Sequence, residues 1–248
     1  MKYRLLIIFL FLLTACDSKV KQANKRGLEY MKQNLYDQAI SEFNHALSIN
    51  STWFPAYYNR AISYANAHCY QEALTDFNYV LASYPDHADS YFNRALVYEN
   101  IGLYANAIKD YSETLKLRPD FILAYHYRGI ARFRMQDFDG ALNDYNEALR
   151  LGKHVAMDVN MAKEYGLNSS ALYFNRGVVL QKKGDLQGAI KDYTEAISID
   201  PSSARTYYNR AIAKMALYHS EEALKDLEIA SRLGFQQADQ VIQSYFKN

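Results

Sequence analysis

The hexapeptide YYNRAI at Tyr57–Ile62 decides the fold because it keeps returning: YFNRAL at Tyr91–Leu96, YHYRGI at Tyr125–Ile130, YFNRGV at Tyr173–Val178 and YYNRAI at Tyr207–Ile212. The steps between copies are 34, 34, 48 and 34 residues. A second series keeps the same step. Asp76-Phe77, Asp110-Tyr111, Asp144-Tyr145, Asp192-Tyr193 and Asp226-Leu227 each begin sixteen residues after the arginine of the first series, and Glu42-Phe43 stands in that relation to Arg26. The chain therefore carries six copies of one unit. A unit of this length cannot bury its own apolar face, so neighbouring units must stack and share a core.

Composition agrees. Of 248 residues, 50% are hydrophobic and 15% aromatic, which supports a packed core rather than a disordered tail. Only 4 Pro and 10 Gly interrupt the chain, which suits long helices better than short strands joined by tight turns. Lys and Arg number 28 against 27 Asp and Glu, a balance without the basic excess a nucleic-acid surface needs, so no nucleic-acid partner is expected. The 23 tyrosines against 1 tryptophan are the unusual count, and Tyr57, Tyr91, Tyr125, Tyr173 and Tyr207 of the repeat account for part of it.

Within each unit three places hold small or short residues: Gly27, Ala61, Ala95, Gly129, Gly177 and Ala211 in the eighth; Ala39, Ala73, Ala107, Ala141, Ala189 and Ala223 in the twentieth; Ala46, Val80, Thr114, Ala148, Ala196 and Ala230 in the twenty-seventh. Pro85, Pro119 and Pro201 stand near the thirty-second, where the next first helix opens and a missing amide hydrogen costs little. Gly102 and Gly184 mark the hairpin turn of the third and fifth units. This pattern resembles the tetratricopeptide repeat family over roughly residues 20 to 235. The resemblance implies an all-α fold: a solenoid of antiparallel helical hairpins forming a right-handed superhelix, with the first helices lining a concave face.

The repeated arginines have a structural reading. Arg26, Arg60, Arg94, Arg128, Arg176 and Arg210 each have an acid sixteen residues on, so ion pairs joining helices are expected, contributing about 0.2 to 1 kcal/mol each if exposed. The matched acids undercut an arginine ladder for a polyanion.

The 48-residue step holds fourteen extra residues. Arg150-Leu151-Gly152, followed by Ala156 and Val159, has a counterpart in Arg232-Leu233-Gly234, followed by Ala238 and Val241. In each copy Leu-Gly is expected to end a helix and a short helix to follow. The later one caps the stack; the internal one is half of an extra hairpin or a hinge, and a slightly irregular but continuous stack is favoured. The expected organisation is a signal segment at 1–15, a polar tether at 16–19, four repeats over 20–152, an inserted helix at 153–169, two repeats over 170–235, and a capping helix at 236–248.

At the N-terminus Lys2 and Arg4 precede an unbroken apolar run, Leu5 to Leu13, too short to span a bilayer permanently. The run ends in Leu13-Thr14-Ala15-Cys16, which resembles the lipobox of bacterial lipoproteins; a membrane-anchor helix with an incidental cysteine is the alternative. The resemblance implies cleavage before Cys16 and acylation of its thiol, with two or three acyl chains making attachment firm. Asp17 resembles the sorting signal that retains lipoproteins in the inner membrane of enteric-type bacteria. The implied location is the exported face of a bacterial cell membrane, the inner membrane facing the periplasm being favoured in a diderm host, with an outer-membrane or Gram-positive surface location as the alternative. Cys69, the other cysteine, reads as a small buried hydrophobe inside a helical repeat rather than a nucleophile.

The family resemblance places the partner surface on the first helices. Tyr58, Phe92, His126, Phe174 and Tyr208 occupy the fifth places and Ile62, Leu96, Ile130, Val178 and Ile212 the ninth, an aromatic and aliphatic floor suited to a protein or peptide segment. Asn66, Glu99, Asn100, Arg134, Gln181, Lys182 and Arg205 are the polar residues expected to set its register. Asn59, Asn93, Asn175 and Asn209 in the sixth place resemble one element of a carboxylate clamp, but Asn24 and Leu28 stand where that clamp needs Lys and Asn, so hydrogen bonding to nearby backbone is the expected use. The six histidines form no pair of metal-ligand spacing, no phosphate cradle is present, and neither cofactor nor catalytic residue is expected. The function read from these features is a membrane-anchored adaptor or scaffold, the alternative being a ligand- or glycan-binding lipoprotein with an aromatic-lined groove.

Overall fold

A computed structural model describes the backbone of residues 2–154 and 168–246 and the side chains of 17–152 and 168–246. Every described element is a helix. Six hairpins follow in order: α1 (Lys2–Lys32) with α2 (Tyr36–Ile49), α3 (Phe54–Asn66) with α4 (Tyr70–Ser83), α5 (Ala88–Asn100) with α6 (Tyr104–Leu117), α7 (Ile122–Arg134) with α8 (Phe138–His154), α9 (Ser169–Lys182) with α10 (Leu186–Ile199), and α11 (Ala204–Ala216) with α12 (Ser220–Arg232). A further helix, α13 (Gln236–Phe246), packs on α12. The chain is an all-α solenoid of antiparallel hairpins, divided into two compact units, Met1–Arg118 and Pro119–Asn248. Within each unit the second helix of one hairpin packs on the first helix of the next.

The small places explain the close approach. All six twentieth-place alanines and all six twenty-seventh-place residues are fully buried. In the eighth place the small residue faces the ring or aliphatic chain sixteen residues on: a Cβ on Gly27 would lie 2.5 Å from Phe43, on Gly129 2.9 Å from Tyr145, and on Gly177 2.8 Å from Tyr193. Phe43, Phe77, Tyr111, Tyr193 and Leu227 have no exposed surface at all. Interiors packed at this density register the change of a single methyl group.

The turn joining the two helices of a hairpin has the same left-handed residue throughout. It is Gly102 in the third repeat and Gly184 in the fifth, but Asn34, His68, Gln136 and Tyr218 elsewhere, at φ of 58° to 62°. Paired backbone bonds close each turn, as in Cys69 N to Tyr64 O at 2.8 Å and His68 N to Ala65 O at 3.1 Å.

Two boundaries differ from expectation. Residues 16–19 are not a separate tether but part of α1: Lys21 Nζ reaches Asp17 at 2.6 Å one turn back, and Val20 and Ala23 are already buried in the hairpin. Among the described residues no helix is long and apolar enough to cross a membrane. The second difference is at Gly152, where α8 runs through to His154. A glycine inside a helix costs only about 1 kcal/mol against alanine, too little to end it unless the chain turns left-handed there. Gly234 does turn, with φ at 88°, just after α12 ends at Arg232. The expected inserted helix falls mainly on residues 155–167, outside the described residues, while Ser169 already belongs to α9. Because α8 packs directly on α9, the fourth and fifth repeats are neighbours despite the insertion, and the division into compact units lies elsewhere, after Arg118.

Candidate functional site

The repeated arginine is built into the hairpin. From Arg60, Nε and Nη2 donate to the two carboxylate oxygens of Asp76 at 2.7 and 2.7 Å; Arg94 holds Asp110 at 2.6 and 2.8 Å, Arg176 holds Asp192 at 2.7 and 2.7 Å, and Arg210 holds Asp226 at 2.8 and 2.7 Å. Arg128 grips Asp144 in the same way, and Arg26 makes one bond to Glu42 at 2.7 Å. Hydrogen bonding to Asp192 raises the Arg176 guanidinium above its ordinary value. The remaining nitrogen reaches back one repeat: Arg60 Nη1 to Asn44, Arg94 Nη1 to Asn78, Arg176 Nη1 to Asn146 and Arg210 Nη1 to Thr194. Each of these four guanidiniums thus ties three helices. The tyrosine three residues earlier covers it, with Arg carbon to ring centroid 5.2 Å at Tyr57, 5.5 Å at Tyr91 and 5.6 Å at Tyr125, Tyr173 and Tyr207. This stacking was missed at the sequence level. The fixed Tyr-x-x-Arg spacing on a helix was the signal that could have revealed it.

With the repeat arginines paired to acids, the candidate partner residues are those in the fifth and ninth places of the first helices. The ninth-place residues Ile62, Leu96, Ile130, Val178 and Ile212 are all half-buried. The fifth-place residues divide. Tyr58, Phe174 and Tyr208 are half-buried and can be touched, but Phe92 is 2% and His126 8% exposed. These two are therefore packing residues rather than groove wall: the Phe92 ring centroid is 5.7 Å from Tyr111 and the His126 centroid 6.1 Å from Tyr145.

The polar candidates divide similarly. Glu99 accepts from the hydroxyl of buried Tyr111 at 2.9 Å and Gln181 from that of buried Tyr193 at 2.7 Å, so both satisfy an internal donor. Asn100 is exposed and folds back on Leu96 O at 2.8 Å. Asn93 donates to Tyr58 Oη at 3.0 Å and Asp89 O at 2.8 Å, and Asn59 to Asn24 Oδ1 at 2.9 Å. The sixth-place amides at Asn59 and Asn93 thus bond side chains of the preceding repeat, with backbone bonding added at Asn93. Asp17 is exposed, and the side chain of Cys16 lies outside those described.

Arg134 and Phe174 are brought together. A pocket of about 280 Å³ is lined by Ile130, Phe133, Arg134, Tyr145, Phe174, Asn175, Val178 and Arg205. A second, of about 310 Å³, shares Phe174 and Arg205 and adds Asn168, Ser170, Ala171, Asp200, Ser203 and Thr206. Arg205 lies over the Phe174 ring at 5.2 Å. Phe133 and Tyr145 were not sequence candidates; Phe133, in the twelfth place where Glu99 and Gln181 stand in other repeats, was the available signal. Among the described residues no group of three or more His, Cys, Asp or Glu is arranged to hold a metal.

His126 has a measurable consequence. Among the described residues none bonds its Nδ1, and burial lowers the imidazole to about 4 from an ordinary value near 6.5. The unfolded chain takes up a proton near 6.5 while the folded chain resists until about 4. Its stabilising effect is full above 6.5 and is lost as pH falls through that window, by up to about 1.4 kcal/mol per pH unit. His126→Phe removes this part of the slope. Urea unfolding of both chains between pH 7 and 4.5 checks it, and parallel stability curves would reject it.

Comparison with known proteins adds the following. Models described as tetratricopeptide repeat match residues 23–52, 58–120 and 122–154, and one described as TPR repeat matches 177–217. No curated protein matches the sequence significantly. Many solved structures resemble the fold. The crystal structure of YrrB, described as a TPR protein with an unusual peptide-binding site, has a TM-score of 0.67 at 19% identity, covering 81% of this chain and 97% of that one. A MamA crystal structure has a TM-score of 0.63 at 20% identity, over 78% and 95%. A tetratricopeptide repeat protein from Parabacteroides merdae has a TM-score of 0.58 at 21% identity, over 90% and 83%.

Proposed function

We infer, because the chain belongs to the tetratricopeptide repeat family, that it is an adaptor whose first helices hold an extended segment of a partner protein. The observation that carries this is the ninth-place series, which stays half-exposed in five repeats while the small places behind it are sealed. Aliphatic surface kept open on a regular spacing suits side chains of a partner segment laid across successive repeats of one compact unit. The family fold is typical of non-catalytic interaction modules, and YrrB, of the same fold, is described as having a peptide-binding site. The described pockets of about 280, 310 and 400 Å³ lie at the lower end of the range for small-molecule sites, which fits single side chains of a partner segment.

The adaptor is anchored at the bacterial cell envelope through acylated Cys16, with Asp17 retaining it in the inner membrane of a diderm host. Support for the anchor is the order of charge, apolar run and Leu13-Thr14-Ala15-Cys16 at the N-terminus. One experiment tests both halves. A benzophenone amino acid replacing Val178 should cross-link a protein in the native envelope, whereas the same group replacing exposed Lys191 on α10 should not. In the same cells Cys16→Ser should move the protein from the membrane to the soluble fraction. Equal cross-linking from both positions would reject the groove, and unchanged membrane attachment would reject the lipid anchor.

A further inference from the structure

Most described arginines are already committed to carboxylates. Besides the six repeat arginines, Arg118 pairs with Asp89, Arg132 with Asp144 and Arg150 with Glu147. Among the described residues Arg134, Arg205 and Arg232 make no ion pair. Arg232 shares its pocket with Glu228 and Asp239. Arg134 and Arg205 line one pocket together, and among the described residues its lining contains no carboxylate. Arg134 and Arg205 share that lining with Asn175, whose amide, unlike those of Asn59 and Asn93, makes no bond to a preceding repeat among the described residues. Ile130 and Phe133 supply an apolar wall beside them.

Resting on the adaptor reading, we propose that this pocket receives an aspartate or glutamate side chain from within an extended partner segment, next to an apolar residue that packs on Ile130 and Phe133. Charge complementarity selects the acid: among the described residues neither arginine is in an ion pair, and Asp200, which lines the adjoining pocket with Arg205, bonds Ser202 instead, so both guanidiniums are left to an incoming carboxylate, which such a group holds with two parallel bonds. Position selects an internal residue over a chain end. The Phe174–Arg205 pair belongs to two pockets, so a segment seated at the first continues over the pair into the second, where Ser203 and Thr206 offer hydroxyls. The balanced charge of the whole chain makes this a local preference rather than a general attraction to acidic molecules.

The test is selection of random twelve-residue peptides, displayed with the C-terminus fused to the carrier and in parallel with free C-termini, on the chain carrying Cys16→Ser. Wild-type side chains in the pocket should enrich peptides with an Asp or Glu beside an apolar residue. Arg134→Gln with Arg205→Gln should weaken the selected peptides about ten- to a hundredfold by fluorescence anisotropy, and changing the peptide acid to its amide should do the same. Circular dichroism melting of the double variant, whose two sites are exposed, establishes that the fold is intact. Enriched peptides without an acid, or equal binding by the double variant, overturn the proposal while leaving the adaptor reading in place. Enrichment only from a library with free C-termini overturns the internal-residue claim. Failure to enrich any peptide from either library overturns both.

Discussion

Arg94→Ala lowers the free energy of unfolding by about 3 to 5 kcal/mol, the cost of leaving a buried carboxylate without its partner. Asp110 retains only 3% of its side-chain exposure and Arg94 16%, so water cannot take over the lost bonds. The pair therefore falls outside the range of about 0.2 to 1 kcal/mol that applies to exposed ion pairs. The loss also detaches Asn78 of the preceding repeat and uncovers Tyr91. Urea unfolding measures it. Asp110→Ala added to Arg94→Ala recovers a large part of the loss, because the orphaned carboxylate is the main penalty, and Arg94→Lys loses less than Arg94→Ala because it keeps charge but not the two-pronged geometry. A single-variant loss below 1 kcal/mol would show that these pairs behave like surface pairs.

Tyr193→Ala destabilises by about 3 to 5 kcal/mol, the range for removing a large ring from a packed interior. The ring has no exposed surface and lies across Gly177, so its loss leaves a cavity where the two helices of the fifth hairpin approach. Tyr193→Phe keeps the ring and gives up the bond to Gln181, a loss of about 1 kcal/mol. Gly177→Leu separates size complementarity from general disruption. In the parent it drives a side chain into the ring and destabilises; in Tyr193→Ala it fills part of the cavity and stabilises. Equal effects in both backgrounds would mean that residues 177 and 193 are not coupled through packing.

The pairing of places was legible because a solenoid repeats its contacts at a fixed sequence distance. Sixteen residues separate Arg94 from Asp110 and also Gly177 from Tyr193, and the step is the same in every hairpin. The groove was less legible. Phe92 and Tyr58 share a place and similar chemistry, yet Phe92 is buried and Tyr58 half-buried. Glu99 and Gln181 look like solvent-facing polar residues until the tyrosines twelve positions later turn out to be buried with hydroxyls that need acceptors. Gly152 and Gly234 share their local sequence, and only the backbone distinguishes the helix that continues from the one that ends.

By itself, the sequence determined the repeat, the hairpin architecture, the small places and the partnership of each arginine with its acid, because these depend on periodicity and complementary residue types. Tertiary structure alone decided how deeply each acid is buried, which groove residues are consumed by packing, and which two unpaired arginines line one pocket. Those properties arise from residues far apart in the chain. Arg134 and Arg205 stand on α7 and α11, and only the stacking of hairpins places them on one pocket.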